Sequence, residues 1–223
     1  MKTTIISDIH LTSRFNKKKY DYLGDLISST DRLIVNGDLW DRFHNDFDSF
    51  INSDWSRLFE LMKKKNTVYI FGNHDPAQYQ DERNNMFSSV QLEEFTVQLK
   101  DNRKLRITHG DIITHGMKYR ESQVKLFSSI QNDILTFGEK IAVNTIGPSF
   151  NELVPPITRF VRQYQEYSDN ALEGDEILVA GHLHRPEFRP DDGYINTGFV
   201  MHGNGFHLDI DSGGELSLVH DRY

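Results

Sequence analysis

The sequence predicts an α/β (α+β) fold: a four-layer β-sandwich of two mixed sheets flanked by helices, carrying a helical insertion. Three observations lead there. Apolar, β-branched runs recur at Thr3 to Ile6, Leu33 to Val35, Val68 to Phe71, Leu105 to Thr108 and Ile177 to Ala180, and runs of about 4–8 such residues read as buried strands. Helical spacing separates the first three, so strand, helix, strand repeats. Paired segments joined by turn residues then appear in the middle and at the end of the chain, which adds antiparallel strands to a parallel set. At 223 residues the chain suffices for a single domain over residues 1–223 with an insertion at about 118–172.

Each element has its own signal. After the first strand, Tyr20 to Ser29 has helical spacing, and so does Phe47 to Lys65, with Trp55, Leu58, Phe59 and Met62 on one apolar face. Val90 to Lys100 alternates as strands do, and Asp101-Asn102 forms a hairpin turn into Lys104 to Thr108. From about Lys118 to Leu172 strand signals give way to recurring apolar residues, from Val124, Phe127 and Ile130 to Phe160, Val161 and Tyr164. This reads as helices interrupted near Gly147-Pro148 and Pro155-Pro156. The insertion leaves and re-enters the chain between two ligand motifs, so it is expected to cap a cleft there without supplying a ligand. At the end, Ser212-Gly213-Gly214 turns Phe206 to Ile210 back into Leu216 to Val219.

A short polar motif follows every one of the five strand runs. In order they are Asp8-x-His10, Gly37-Asp38-x-x-Asp41, Gly72-Asn73-His74-Asp75, His109-Gly110-Asp111 and Gly181-His182-x-His184. The carboxyl ends of strands are where an open α/β sheet places its ligands. Imidazole, carboxylate and amide oxygen make a mixed nitrogen and oxygen shell. With no Cys in the chain, that shell suits manganese, iron or zinc rather than copper(I) or an iron–sulfur cluster.

The ordered set, from Asp8 to His184, resembles the calcineurin-like metallophosphoesterase family. The resemblance implies two divalent metal ions, manganese in the first instance with iron or zinc as alternatives. Asp8, His10, Asp38 and His184 would hold one ion; Asp38, Asn73, His109 and His182 would hold the other, with Asp38 bridging. It further implies hydrolysis of a small phosphoester or pyrophosphate by a metal-bridging hydroxide. His74 would then be the histidine beside the leaving group, Asp41 the acid that orients it, and Arg42 a phosphate contact. The insertion is similar to that of the UDP-diacylglucosamine pyrophosphatase branch, where it helps to hold acyl chains. That branch carries Arg at the position of His74 and Glu in place of Asp41-Arg42, so the motif here is the general family form. Arg120 within the insertion is a candidate contact for a second phosphate.

The remaining polar residues read more plainly. Asp75 would cap the segment opening at Pro76, and Asp111 the turn after Gly110. His44, two residues past Arg42, reads first as a surface residue and second as one lining the cleft, and His207 and His220 read as strand residues. His115, His202 and the turn Asn196-Thr197-Gly198 are candidates for substrate contact. With acidic residues outnumbering basic ones 33 to 25, the charge is −8. The basic runs Lys17-Lys18-Lys19 and Lys63-Lys64-Lys65 look like solvated helix ends, so extended nucleic acid is not an expected partner. No apolar run approaches the ~18 residues that span a bilayer, and the first strand begins at once. The expected partner is a small phosphorylated substrate, with peripheral membrane contact if that substrate is lipid-like, and the expected location is the cytoplasm. A nuclease using the same ions is the alternative function, and a non-catalytic interaction module on this fold is the third.

Overall fold

Strands buried on both faces are apolar without interruption, and this explains four of the five runs, the one at Leu105 to Thr108 being broken by the half-buried Arg106. In β1 (Thr3–Ile6), β2 (Arg32–Asn36) and β3 (Val68–Ile70), successive side chains point to opposite sides, each into its own hydrophobic layer. Ile5, Ile34, Val68 and Ile70 face a second sheet, while Ile6, Leu33, Val35 and Tyr69 face helices. The computed structural model describes residues 1–116, 129–147 and 155–223.

Two mixed sheets flanked by helices make up the fold. In the first, β1, β2, β3 and β4 (Val90–Leu92) run parallel, and the chain's last strands join antiparallel to β1. The second sheet has the order β5 (Glu94–Gln98), β6 (Lys104–Thr108), β7 (Glu176–Ala180), β9 (Tyr194–Asn196), β8 (Glu187–Arg189), with β6, β7 and β9 parallel. Between β4 and β5 the chain crosses from one sheet to the other at Glu93, within the stretch whose alternation predicts strands. The expected hairpin pairs Gln98 with Lys104 across Asp101-Asn102, and Asn102 takes the left-handed turn conformation at φ 74°. The first sheet is completed by β10 (Val200–Met201), β11 (Asn204–Ile210) and β12 (Leu216–Arg222), the last two forming the predicted terminal hairpin.

Helices cover both outer faces. α1 (Lys17–Ser28) starts three residues before its predicted position because Asn16 caps it, accepting from the Lys19 backbone N–H at 3.1 Å. The predicted helix Phe47 to Lys65 is broken into α2 (Phe47–Ile51), a 3₁₀ turn (Asp54–Leu58) and α3 (Phe59–Lys64). At the break, Asn52 and Ser53 turn their side chains onto the carbonyls of Asp48 and Phe50, the local competition that ends helices. The apolar face survives this interruption: Trp55, Leu58, Phe59 and Met62 are all buried with Leu23 and Ile27 of α1. α4 (Asp111–His115) follows β6. Of the insertion, α5 (Ser129–Ile146) and α6 (Pro155–Ala171) lie among the described residues. α6 lays Val161 and Tyr164 on Leu178, Ala180 and Tyr194 of the second sheet. Among the described residues, no helix is long and apolar enough to cross a membrane.

Lys19 departs from the solvated role expected of it: it is buried and its ammonium donates to the carbonyl of Ile9, while its neighbour Lys17 pairs with Asp21 at the surface. Burial lowers the Lys19 pKa to about 7.

Candidate metal centre

Because β1, β2 and β3 run parallel in one sheet and β6 and β7 in the other, all five motifs emerge along one edge of the sandwich. Main-chain bonds tie the loops together. Asp8 N–H donates to the Gly37 carbonyl, His10 N–H to that of Asp38, and Gly181 N–H to that of His109. The sheets are joined at this edge by Asp8, whose carboxylate accepts from the His182 backbone N–H at 3.0 and 3.1 Å.

The backbone here is held in costly conformations. Among the described residues, eight non-glycine residues have positive φ, and five of them are Asp8 (52°), His10 (46°), Asp38 (55°), His182 (67°) and His184 (48°). Such conformations cost roughly 1–3 kcal/mol each, and they persist where the surroundings impose them, most often at functional sites. Glycine is required beside them by close approach. A Cβ on Gly72 would lie 2.1 Å from Asp38 Oδ1, and one on Gly37, itself at φ 82°, would lie 2.3 Å from His109 Nδ1.

The side chains converge. Donor atoms of Asp8, His10 and His184 lie within 4.8 Å of one another, and so do those of Asp8, Asp38 and His109. His10 Nε2 stands 3.2 Å from His184 Nε2, which is itself 3.3 Å from Asp8 Oδ1. On the other side, His109 Nε2 lies 3.1 Å from Asp38 Oδ2 and 3.2 Å from Asn73 Oδ1. Asp38 Oδ2 is also 3.7 Å from His10 Nε2, so this carboxylate stands between the two groups. Imidazole nitrogens and carboxylates crowded around common points form a donor set that fits divalent cations. His182 stands further out, its ring centroid 5.4 Å from that of His109, and it belongs to neither group.

Partners on the far side of each ring set its orientation. His109 Nδ1 donates to the Asn36 carbonyl at 2.9 Å, which leaves Nε2 facing Asp38 and Asn73. His184 Nδ1 meets Glu139 Oε1 at 2.9 Å. A third group, His10, Asp41 and His74, adjoins the first. Asp41 Oδ1 is 3.1 Å from His74 Nδ1. The structure adds His44, whose Nδ1 meets Asp41 Oδ2 at 2.9 Å, so this histidine is not the plain surface residue expected.

Burial alone would raise the Asp38 and Asp41 carboxyls, but the surrounding histidines, His109 at Asp38 and His74 at Asp41 foremost, hold both well below the usual carboxylate range. His182 is lowered to about 3 by burial and by His109 beside it, leaving a neutral ring with an available lone pair. At His74, burial works toward the neutral form, but Asp41 and Asp38 outweigh it and lift the pKa to about 9. Its charge therefore stabilises the metal-free fold, a contribution fully present below about pH 6.5 and lost as pH rises through about 9. In the metal-free protein, the His74 ring signal followed by NMR is expected to titrate near pH 9, and in Asp41→Asn to shift to markedly lower pH. An unchanged midpoint in that variant would remove Asp41 as the cause.

Three expectations need correction, those for Asp75, Asp111 and the Asn196-Thr197 turn. Asp75 does not cap the turn after Pro76. It is fully buried and accepts from the backbone N–H groups of Asp38 (3.0 Å), Leu39 (2.6 Å) and Gly72 (2.7 Å), thereby holding the Asp38 loop. Burial and the Asp38 charge raise its pKa to about 6. Asp111 is the first residue of α4 rather than its cap, and it too is buried. Asn196 and Thr197 are buried beneath the centre, where Asn196 Nδ2 donates to the Gly181 carbonyl at 2.8 Å and Thr197 Oγ1 lies 2.7 Å from Ser7 Oγ, so they are scaffold rather than substrate contacts. Arg42 is buried with its guanidinium 4.4 Å from both the Phe43 and Tyr79 rings, and its Nε donates to the Asn73 carbonyl. His115 sets its ring 5.5 Å from that of His182. Arg120 lies outside the described residues.

A family model described as calcineurin-like phosphoesterase matches residues 1–186. Among solved structures, an Escherichia coli phosphoesterase is 18% identical with a TM-score of 0.47, the match covering 98% of each chain. A Streptococcus pneumoniae protein described as a predicted phosphoesterase is 16% identical with a TM-score of 0.40, over 100% of this chain and 92% of that one. Vps29 of Chaetomium thermophilum is 12% identical with a TM-score of 0.39, over 100% and 97% respectively. No curated protein matches the chain.

Proposed function

The chain belongs to the calcineurin-like phosphoesterase family, and from that premise we propose that it is a metal-dependent phosphohydrolase of a small phosphoester or pyrophosphate, using two divalent ions, manganese first among them. The observation that carries this reading is the position of the Asp38 carboxylate between the His10–His184–Asp8 group and the His109–Asn73 pair. Asp8, His10, Asp38 and His184 would hold one ion, and Asp38, Asn73, His109 and His182 the other. When bound, the ions supply an acidified water as nucleophile and positive charge for the phosphoryl oxygens.

The chain's own residues do the rest. Asp38 accepts the His74 backbone N–H on Oδ1 at 2.8 Å, which fixes the carboxylate's plane and leaves Oδ2 to the centre. Asp41 holds His74 in its charged form, and that imidazolium, partly exposed at the edge of the centre, can give a proton to a departing alkoxide. Arg42 braces the Asn73–His74 loop through the Asn73 carbonyl, its charge flanked by two aromatic faces. The insertion would cover the cleft and select among substrates.

The reading is tested by assaying manganese-loaded protein against bis(4-nitrophenyl) phosphate, 4-nitrophenyl phosphate, cyclic nucleotides and nucleotide-sugar pyrophosphates. Turnover of at least one small substrate, abolished by chelator and restored by metal, is expected. Hydrolysis that survives complete metal removal, or a protein that binds no divalent ion, would defeat the proposal.

A further inference from the structure

The two sides of the centre orient their histidines differently. His109 is braced by the scaffold, since the carbonyl it meets belongs to Asn36 at the end of β2. His184 is braced by the insertion: its Nδ1 meets Glu139 Oε1, and Glu139 lies in α5. The other Glu139 oxygen stands 3.6 Å from His202 Nε2, on a residue whose φ of 56° is itself strained. One helical turn after Glu139, Val143 is buried against Phe199, Met201 and Phe206. Residues four apart share a helix face, so the apolar contact that docks α5 also delivers the carboxylate.

We propose that Glu139 is a positioning residue for the metal centre, and that through it the ion held by His184 binds well only while α5 is docked. The proposal rests on the reading of the site as a metal centre. A carboxylate on Nδ1 fixes the ring and its tautomer, so that the Nε2 lone pair is free for an ion. It also raises the basicity of that nitrogen. His184 Nε2 then points at Asp8 Oδ1 and His10 Nε2, the remaining donors of its group. The consequence is a centre of unequal halves: His109 of one ion's set is fixed by the sheet edge, and His184 of the other's by a segment outside both sheets. Whatever shifts α5, a bound substrate included, shifts the affinity of one ion and leaves the other as it was.

Calorimetric titration of the metal-stripped full chain with Mn²⁺ tests this, with ion content by mass spectrometry and thermal melting as controls. The parent should bind two ions. Glu139→Ala should weaken one of the two binding events by about 10–100-fold, the usual effect of losing such a partner. Glu139→Gln, which keeps the shape and one acceptor oxygen, should fall between the parent and Ala. Val143→Ser, which keeps the carboxylate but loosens the docking, should weaken the same event. If the parent binds two ions and Glu139→Ala binds both unchanged, or loses both equally, the proposal is overturned. A parent that binds no ion would instead overturn the underlying reading of the site.

Discussion

Asp38→Asn is expected to leave a folded protein that has lost hydrolysis by at least about 10³-fold, equivalent to ~4 kcal/mol of transition-state stabilisation. The geometry explains the size of the effect. Asp38 is 1% exposed, with Oδ2 3.1 Å from His109 Nε2 and 3.7 Å from His10 Nε2, so one carboxylate serves both donor groups. Two dications about 3.5–4 Å apart repel by roughly 18 kcal/mol even at an effective dielectric of 20. A negative charge between them offsets much of this, and asparagine has none. Because the amide is isosteric, it can still accept the His74 N–H through one oxygen, and the local fold should hold. Ion content and turnover, measured on protein whose circular dichroism matches the parent, decide the matter: two tightly bound ions with parental turnover would refute the bridging role.

The motif residues that converge at this edge were legible in the sequence because each motif is local. Asp8-x-His10 and His182-x-His184 sit on loops that follow apolar runs, and the runs are continuous because Ile5 and Ile6, or Ile177 and Leu178, face two different cores. What holds these side chains in place was not legible. Glu139 precedes His184 by 45 residues and reaches it only through the docking of α5, and nothing in its own neighbourhood marks it. Asp75 beside Pro76 has the pattern of a cap, yet tertiary burial gives it three backbone N–H groups from two loops instead. His44 looks solvated by spacing alone, because its relation to Asp41 depends on the turn between them. The strained φ values at five assigned ligands are likewise imposed by packing, since Asp and His carry no local preference strong enough to announce them.

The second large effect should appear at His74, and its dependence on the substrate is the informative part. The ring is held edge-on to His10 and Phe43, with centroid distances of 4.4 and 4.9 Å, while Asp41 stands at Nδ1. It is therefore oriented, favoured in its charged form by Asp41 in the metal-free protein, and only partly covered, the conditions a proton donor needs. A poor alkoxide leaving group cannot depart without that proton, so His74→Ala should slow such a substrate by about 10²–10⁴-fold. A nitrophenolate leaves readily as an anion, so the same variant should hydrolyse nitrophenyl esters with a much smaller loss. Ion content should be unchanged, because His74 is assigned to neither ion. Comparing kcat for the two substrates in parent and variant separates the roles. Equal losses on both, with metal intact, would mean that His74 stabilises the transferring phosphoryl group rather than protonating the leaving oxygen, and Asp41→Asn should then mimic that uniform loss.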